Sequence, residues 1–182
     1  AVLGIAVFLF WWLFYPYALS FQEQNQLFLF TWDYFSERIS LSGGLADYIA
    51  EFITQFSYIP YLGEALLAVV FVIFQKAIAL SIDRDEWYVL SFVAPVMMLV
   101  YMSDIYVMLS YLVALIAAVL LCALYRRHPG IIGAGIATVL GYWLIGPAIF
   151  VFTLFAVIRE RNCKSLILIA LSVIVVVASR LT

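Results

Sequence analysis

The chain has 182 residues, of which 68% are hydrophobic and 11% charged, with a formal net charge of −2. Its mean hydropathy is +1.14, which excludes an ordinary soluble enzyme and predicts an all-α, polytopic membrane protein with an interhelical core, organised as one membrane domain. No basic patch points to DNA or RNA, and Cys122 and Cys163, one in an apolar stretch and one in a charged turn, support neither a disulfide framework nor a zinc site.

The sequence opens inside an apolar run at Ala1 and stops at Thr182 straight after another, as expected of a module cut from a longer polypeptide. Ala18-Leu19-Ser20 has the small-residue form of a signal-peptidase site, but Trp11-Trp12, Pro16 and the length of the run favour a retained span. Candidate spans are 1–20, 61–81, 87–103, 105–125, 131–145, 147–159 and 165–181, with an outer loop over 21–60. Residues 131–158 read either as one tilted helix or as two short ones broken at Gly146-Pro147, since Pro removes a helix hydrogen bond. Charge favours the break. With seven spans and a cytoplasmic N-terminus, the inner loops hold Lys76, Arg84, Arg126, Arg127, Arg159, Arg161 and Lys164, and the outer side keeps Arg38 and Arg180. Glu23, Asp33, Glu37, Asp47, Glu51, Glu64 and Asp104 then lie outside; Asp83, Asp85, Glu86 and Glu160 lie inside.

In the outer loop, the polar run Phe21-Gln22-Glu23-Gln24-Asn25-Gln26 is followed by aromatic residues, of which Trp32, Tyr34 and Phe35 suit a membrane interface. Gly43-Gly44 punctuates, with Ser42 as a helix cap. Leu45, Tyr48, Ile49, Phe52, Ile53 and Phe56 share one helical face, and Asp47, Glu51 and Gln55 another, which predicts an amphipathic helix on the outer surface packed over a cavity between the spans. Asp47, Glu51, Glu37 and Arg38 read most simply as solvated. Glu23, at the membrane boundary among amides that orient it, and Asp33, in an aromatic setting, are candidates for catalysis or binding. Asp104 in the short turn Met102-Ser103-Asp104 either meets one of them across a cavity or caps the following helix. His128 sits in the basic turn Arg126-Arg127-His128-Pro129-Gly130 and reads as topological; no nucleophile elbow, Walker loop or HExxH is present.

A first span, a large outer loop carrying an acid and interfacial helices, then six closely connected spans: in this topology the whole chain resembles the N-terminal module of the GT-C membrane glycosyltransferases. The run Glu23-Gln24-Asn25-Gln26-Leu27-Phe28-Leu29-Phe30-Thr31, followed by Gly43-Gly44-Leu45-Ala46-Asp47-Tyr48, also resembles an uncharacterised group of bacterial multi-spanning membrane proteins. The GT-C resemblance implies transfer of a sugar from a polyprenyl-phosphate carrier at the outer face of a bacterial inner membrane. Glu23 stands at the first-loop acid, with Asp33 as the second candidate and Asp104 at the acid of the second outer loop. In that reading a carboxylate deprotonates the acceptor, Gln24 and Gln26 (with Asn25) orient sugar hydroxyls, and Trp32 and Tyr34 stack on the sugar or line the lipid entrance. A divalent metal bridging the phosphate and Asp104 is compatible with it. The competing readings are a transporter segment and the membrane anchor of an envelope assembly whose outer loop binds a partner protein.

Overall fold

The computed structural model describes residues 2–15, 18–26, 28–82, 85–104, 106–160 and 165–181. Pro16, Leu27, Asp83, Arg84, Arg161, Cys163 and Lys164 lie outside the described residues, as do the side chains of Asn25, Asp85, Glu86 and Arg180. The described residues form helices and no strand: α1 (Val2–Phe14), α2 (Ala18–Asn25), α3 (Trp32–Ser40), α4 (Gly44–Thr54), α5 (Leu62–Ser81), α6 (Val93–Tyr101), α7 (Leu109–Arg127), α8 (Ile131–Ile145), α9 (Ile149–Glu160) and α10 (Ser165–Leu181). Among the described residues three helical stretches are long and apolar enough to cross a membrane, Leu62–Ser81, Leu109–Arg127 and Ile131–Glu160, with a fourth if α1 and α2 count as one span. The axes of α1 and α2 differ by 83°, so the expected first span is bent, and the polar run Gln22 to Gln24 belongs to the second helix.

The stretch from Ile131 to Glu160 does not run straight. The hydroxyls of Thr138 and Thr153 lie 3.3 Å apart, whereas fifteen residues of straight helix would separate them by about 22 Å. The chain therefore reverses at Gly146-Pro147, the expected break, and α8 and α9 form an antiparallel hairpin. Gly146 takes φ 65° and ψ −149°, a conformation that a Cβ opposes, and the proline ring follows where no helix hydrogen bond is needed. Replacing Gly146 with alanine is expected to cost about 1–3 kcal/mol, read as a lower apparent Tm of the purified protein; an unchanged Tm would mean that the turn is not built this way.

Around this hairpin the helices stand side by side, α1 against α5, α5 against α7, α7 against α9, and α10 against both α8 and α9. Trp11, Phe71 and Leu112 fill the first half of the core; Ile149, Phe152 and Ala156 fill the second. Inside it Gln75 donates to the Ser91 hydroxyl at 2.8 Å, between α5 and the 3-10 turn Asp85–Phe92 that leads into α6, while the buried Trp11 indole N–H has no hydrogen-bond partner among the described residues. The segment expected as a span over 87–103 is thus part 3-10 and part α-helix.

One end of the bundle is basic. There Arg126 donates to the Ile82 carbonyl, the Tyr125 hydroxyl donates to Glu160 at 2.5 Å, and Arg159 reaches the Arg126 carbonyl. The other end carries α2, α3 and α4. Gln22 joins α2 to the turn before α7 by donating to the Val107 carbonyl at 2.9 Å, and Gln55 donates to the Gln26 carbonyl at 2.8 Å.

The face that α4 buries is not the expected one. Ala46, Ala50 and Thr54, four apart, are buried with Gly44 and Glu51, while Ile49 and Phe52 are exposed and Leu45, Tyr48, Ile53 and Phe56 are half-buried. Short side chains let the α4 backbone lie close against α7, which a large aliphatic row would prevent.

Candidate functional site

The α3–α4 turn is held by the tip of the α8–α9 hairpin through reciprocal capping. The last carbonyls of a helix have no partner of their own. Gly43 donates its backbone N–H to the Trp143 carbonyl at 2.7 Å, the Ser42 hydroxyl donates to the Tyr142 carbonyl at 3.0 Å, and the Trp143 indole donates to the Ile39 carbonyl near the end of α3 at 2.5 Å. Ser42, expected to cap α4, therefore serves α8. Gly43, with φ 88°, precedes α4 and lies against Gly146.

Helix α3 begins at Thr31, whose hydroxyl accepts the Tyr34 N–H at 3.3 Å. That start brings Tyr34 and Arg38, one turn apart, over Glu51 of α4. Arg38 Nη2 lies 2.7 Å from Glu51 Oε1, the Tyr34 hydroxyl donates to Glu51 Oε2 at 2.5 Å, and Arg38 Nε donates to the Tyr34 oxygen at 3.0 Å. The guanidinium also sits 5.1 Å from the Tyr34 ring centroid. Burial, and then the bond to the Glu51 carboxylate, push the Tyr34 phenol above its ordinary range. Phe28 covers the cluster, its ring 5.9 Å from Tyr34, 4.9 Å from Tyr48 and 5.5 Å from Phe52. Glu51 and Arg38 are accordingly an internal ion pair and not a solvated face: the side chains keep 10% and 32% of their exposure. Their separation of thirteen positions, on two helices, leaves no periodic trace in the sequence.

Beneath α4 lies a cleft of about 610 Å³. Its walls are Ser42, Gly43, Ala46 and Asp47 of the α3–α4 turn and α4, Met98 and Tyr101 of α6, Met108, Ser110, Tyr111, Ala114 and Leu115 around the start of α7, and the hairpin tip from Ile145 to Ala148. Asp47 is the carboxylate on these walls, a residue that nothing in its helical periodicity singles out from Glu51 and Gln55 on the same face. None of Glu23, Gln24, Gln26, Trp32, Asp33, Tyr34 and Asp104 lines the cleft. Glu23 is half-buried on α2, Gln24 and Asp33 are exposed, and Trp32 is 77% exposed. The Gln26 side-chain oxygen is buried with no hydrogen-bond partner. Asp104 is exposed and accepts the Tyr106 N–H at 3.0 Å; it shapes a turn, and α7 starts later, after Met108. Among the described residues no three His, Cys, Asp or Glu side chains converge on one point. Asp104 therefore belongs to no such group among the described residues, and its carboxylate is already engaged with the backbone.

A family model covers residues 1–182, the whole chain. The chain belongs to DUF6057, a family of unknown function. No curated protein and no solved structure matches it. Membership of the DUF6057 family carries no activity with it, so the cleft and the chemistry of its walls are what bear on function.

Proposed function

We propose that this DUF6057 protein binds an amphiphilic, lipid-linked substrate in the cleft under α4, and that the reaction is GT-C-like glycosyl transfer from a polyprenyl-phosphate sugar. The observation that carries the reading is a largely apolar cleft of about 610 Å³ with a single carboxylate, Asp47, on its walls. Methionine, alanine and isoleucine surfaces suit the lipid chain, while Asp47, Ser42 and Ser110 suit the polar head. In the transfer step the acceptor oxygen bonds to the anomeric carbon as the bond from that carbon to the phosphate oxygen breaks. Asp47 takes the acceptor proton, and the lipid phosphate leaves as an anion. Glu23, with Asp33 as the second candidate, is the acid that the GT-C resemblance implies for this step, and Asp47 is the acid that its position on the cleft wall favours.

The topology that goes with this proposal has seven membrane segments and a cytoplasmic N-terminus in a bacterial inner membrane, with α2, α3 and α4 on the outer face and the Arg126–Arg159 end inside. Segments α8 and α9, about 22 and 18 Å long, then enter as a hairpin that stops short of the full hydrocarbon thickness.

The test is turnover of a polyprenyl-phosphate sugar by the full-length protein in lipid. Asp47→Asn is expected to lower transfer about 100-fold or more, with Glu23→Gln, Asp33→Asn and Asp104→Asn each within about threefold of wild type. Full transfer by Asp47→Asn would remove Asp47 from the reaction; transfer lost in Glu23→Gln or Asp33→Asn instead would return the acid to the position the resemblance implies. Absence of transfer across a broad donor panel would favour a second reading, a membrane anchor or transporter segment. The exposed aromatic surface of Phe30 and Trp32, beside exposed Asp33 and Glu37, favours the anchor, since it suits an envelope protein partner.

A further inference from the structure

We propose that a groove between α1 and α5 binds an anionic phospholipid of the leaflet at the basic end, one acyl chain lying in the groove and the phosphate held by Lys76. The groove has a volume of about 570 Å³ and is separate from the cleft under α4. It exists because Gly4, Ala65 and Ala68 leave a hollow between larger neighbours such as Phe8 and Ile73. At Gly4 the helices are already in contact: a Cβ there would lie 3.1 Å from Val72 Cγ2. Every lining residue is apolar or small except Lys76.

Lys76 is exposed and lies five residues before the end of α5, about 7.5 Å along the axis. Among the described residues no carboxylate pairs with it. An ammonium on the lipid-facing side of a membrane helix is costly unless its long stem carries it to the interface or a counter-charge meets it. The α5 end closest to Lys76 is bound to Arg126 through the Ile82 carbonyl, so Lys76 serves the same leaflet as Arg126 and Arg127. Under the positive-inside rule that is the cytoplasmic leaflet, whose anionic headgroups attract cations near the surface. An apolar trough ending in one exposed cation, with no carboxylate on it among the described residues, matches the two parts of such a lipid.

The experiment uses the full-length protein, delipidated and exchanged with an equimolar mixture of phosphatidylglycerol and phosphatidylcholine of identical chains, with bound lipid counted by native mass spectrometry. Wild type is expected to retain phosphatidylglycerol over phosphatidylcholine by roughly fivefold, the effect of one cation near an anionic headgroup. Lys76→Gln should abolish that preference, Arg127→Gln should leave it, and Ala68→Phe, which fills the groove, should lower retention of both lipids. Equal retention of the two lipids by wild type, or an undiminished preference in Lys76→Gln, would overturn the proposal. Lys76 is a surface position, so its variant keeps the test decisive should Ala68→Phe fail to fold, and neither result depends on glycosyl transfer.

Discussion

Alanine at Gly44 is expected to abolish the native arrangement of the α3–α4 turn and to remove most of the folded protein. A Cβ at this position would lie 1.7 Å from the Arg38 carbonyl oxygen and 2.6 Å from its carbon, both backbone atoms. A flexible side chain could swing away from such a clash, but the Arg38 carbonyl is fixed, because it accepts the Leu41 N–H at 3.1 Å. Relief requires α3 and α4 to separate, which breaks the Arg38–Glu51 pair and uncovers Phe28. Overpacking usually costs about 1–3 kcal/mol, and a backbone clash of this size belongs above that range. Gly43→Ala is the informative comparison. Its Cβ meets Gly146 at an ordinary 3.6 Å, so its cost is the left-handed conformation alone, about 1–2 kcal/mol. Size-exclusion profiles and apparent Tm of the two variants should therefore differ sharply; equal behaviour would disprove the close contact between α3 and α4.

The second large effect concerns the ion pair. Arg38→Met is expected to lower stability by about 3 kcal/mol, because it leaves the more buried partner, the Glu51 carboxylate, with only the Tyr34 hydroxyl. Glu51→Gln should cost less, roughly 1–2 kcal/mol, since Arg38 keeps access to water and a bond to Tyr34. The double change Arg38→Met with Glu51→Leu should recover most of the loss, since well-packed apolar groups of similar volume often replace a buried pair at little cost. A double-mutant cycle on apparent Tm measures this, at about 2–4 °C per kcal/mol for a chain of this size. Additive single effects would mean that the two side chains do not act together.

Both effects arise in the segment between α1 and α5, where the sequence and the structure part most clearly. The apolar row Leu45, Tyr48, Ile49, Phe52, Ile53 and Phe56 is real in the sequence, yet α4 buries Ala46, Ala50 and Thr54. Periodicity reports where large apolar side chains fall around a helix. It does not report which face comes close to a neighbour when small residues offer a tighter approach and aromatic rings have one another to pack against. Likewise Glu51 reads as solvated because it shares a polar helical face with Asp47 and Gln55, and Arg38 because it follows Glu37, and only the docking of α3 on α4 sets guanidinium against carboxylate.

Composition and local pattern were sufficient for the helical class and for helices able to cross a membrane, because a long apolar run acts through the residues that carry it, whereas the break at Gly146-Pro147 needed the distribution of Lys and Arg along the chain to choose it over one tilted helix. The cleft, its Asp47 wall, the exchange of caps between α3 and α8, and the groove ending at Lys76 were decided by tertiary structure alone. Each depends on which helices become neighbours, and residues such as Ser42 and Tyr142, one hundred positions apart, carry no local signal that they will meet.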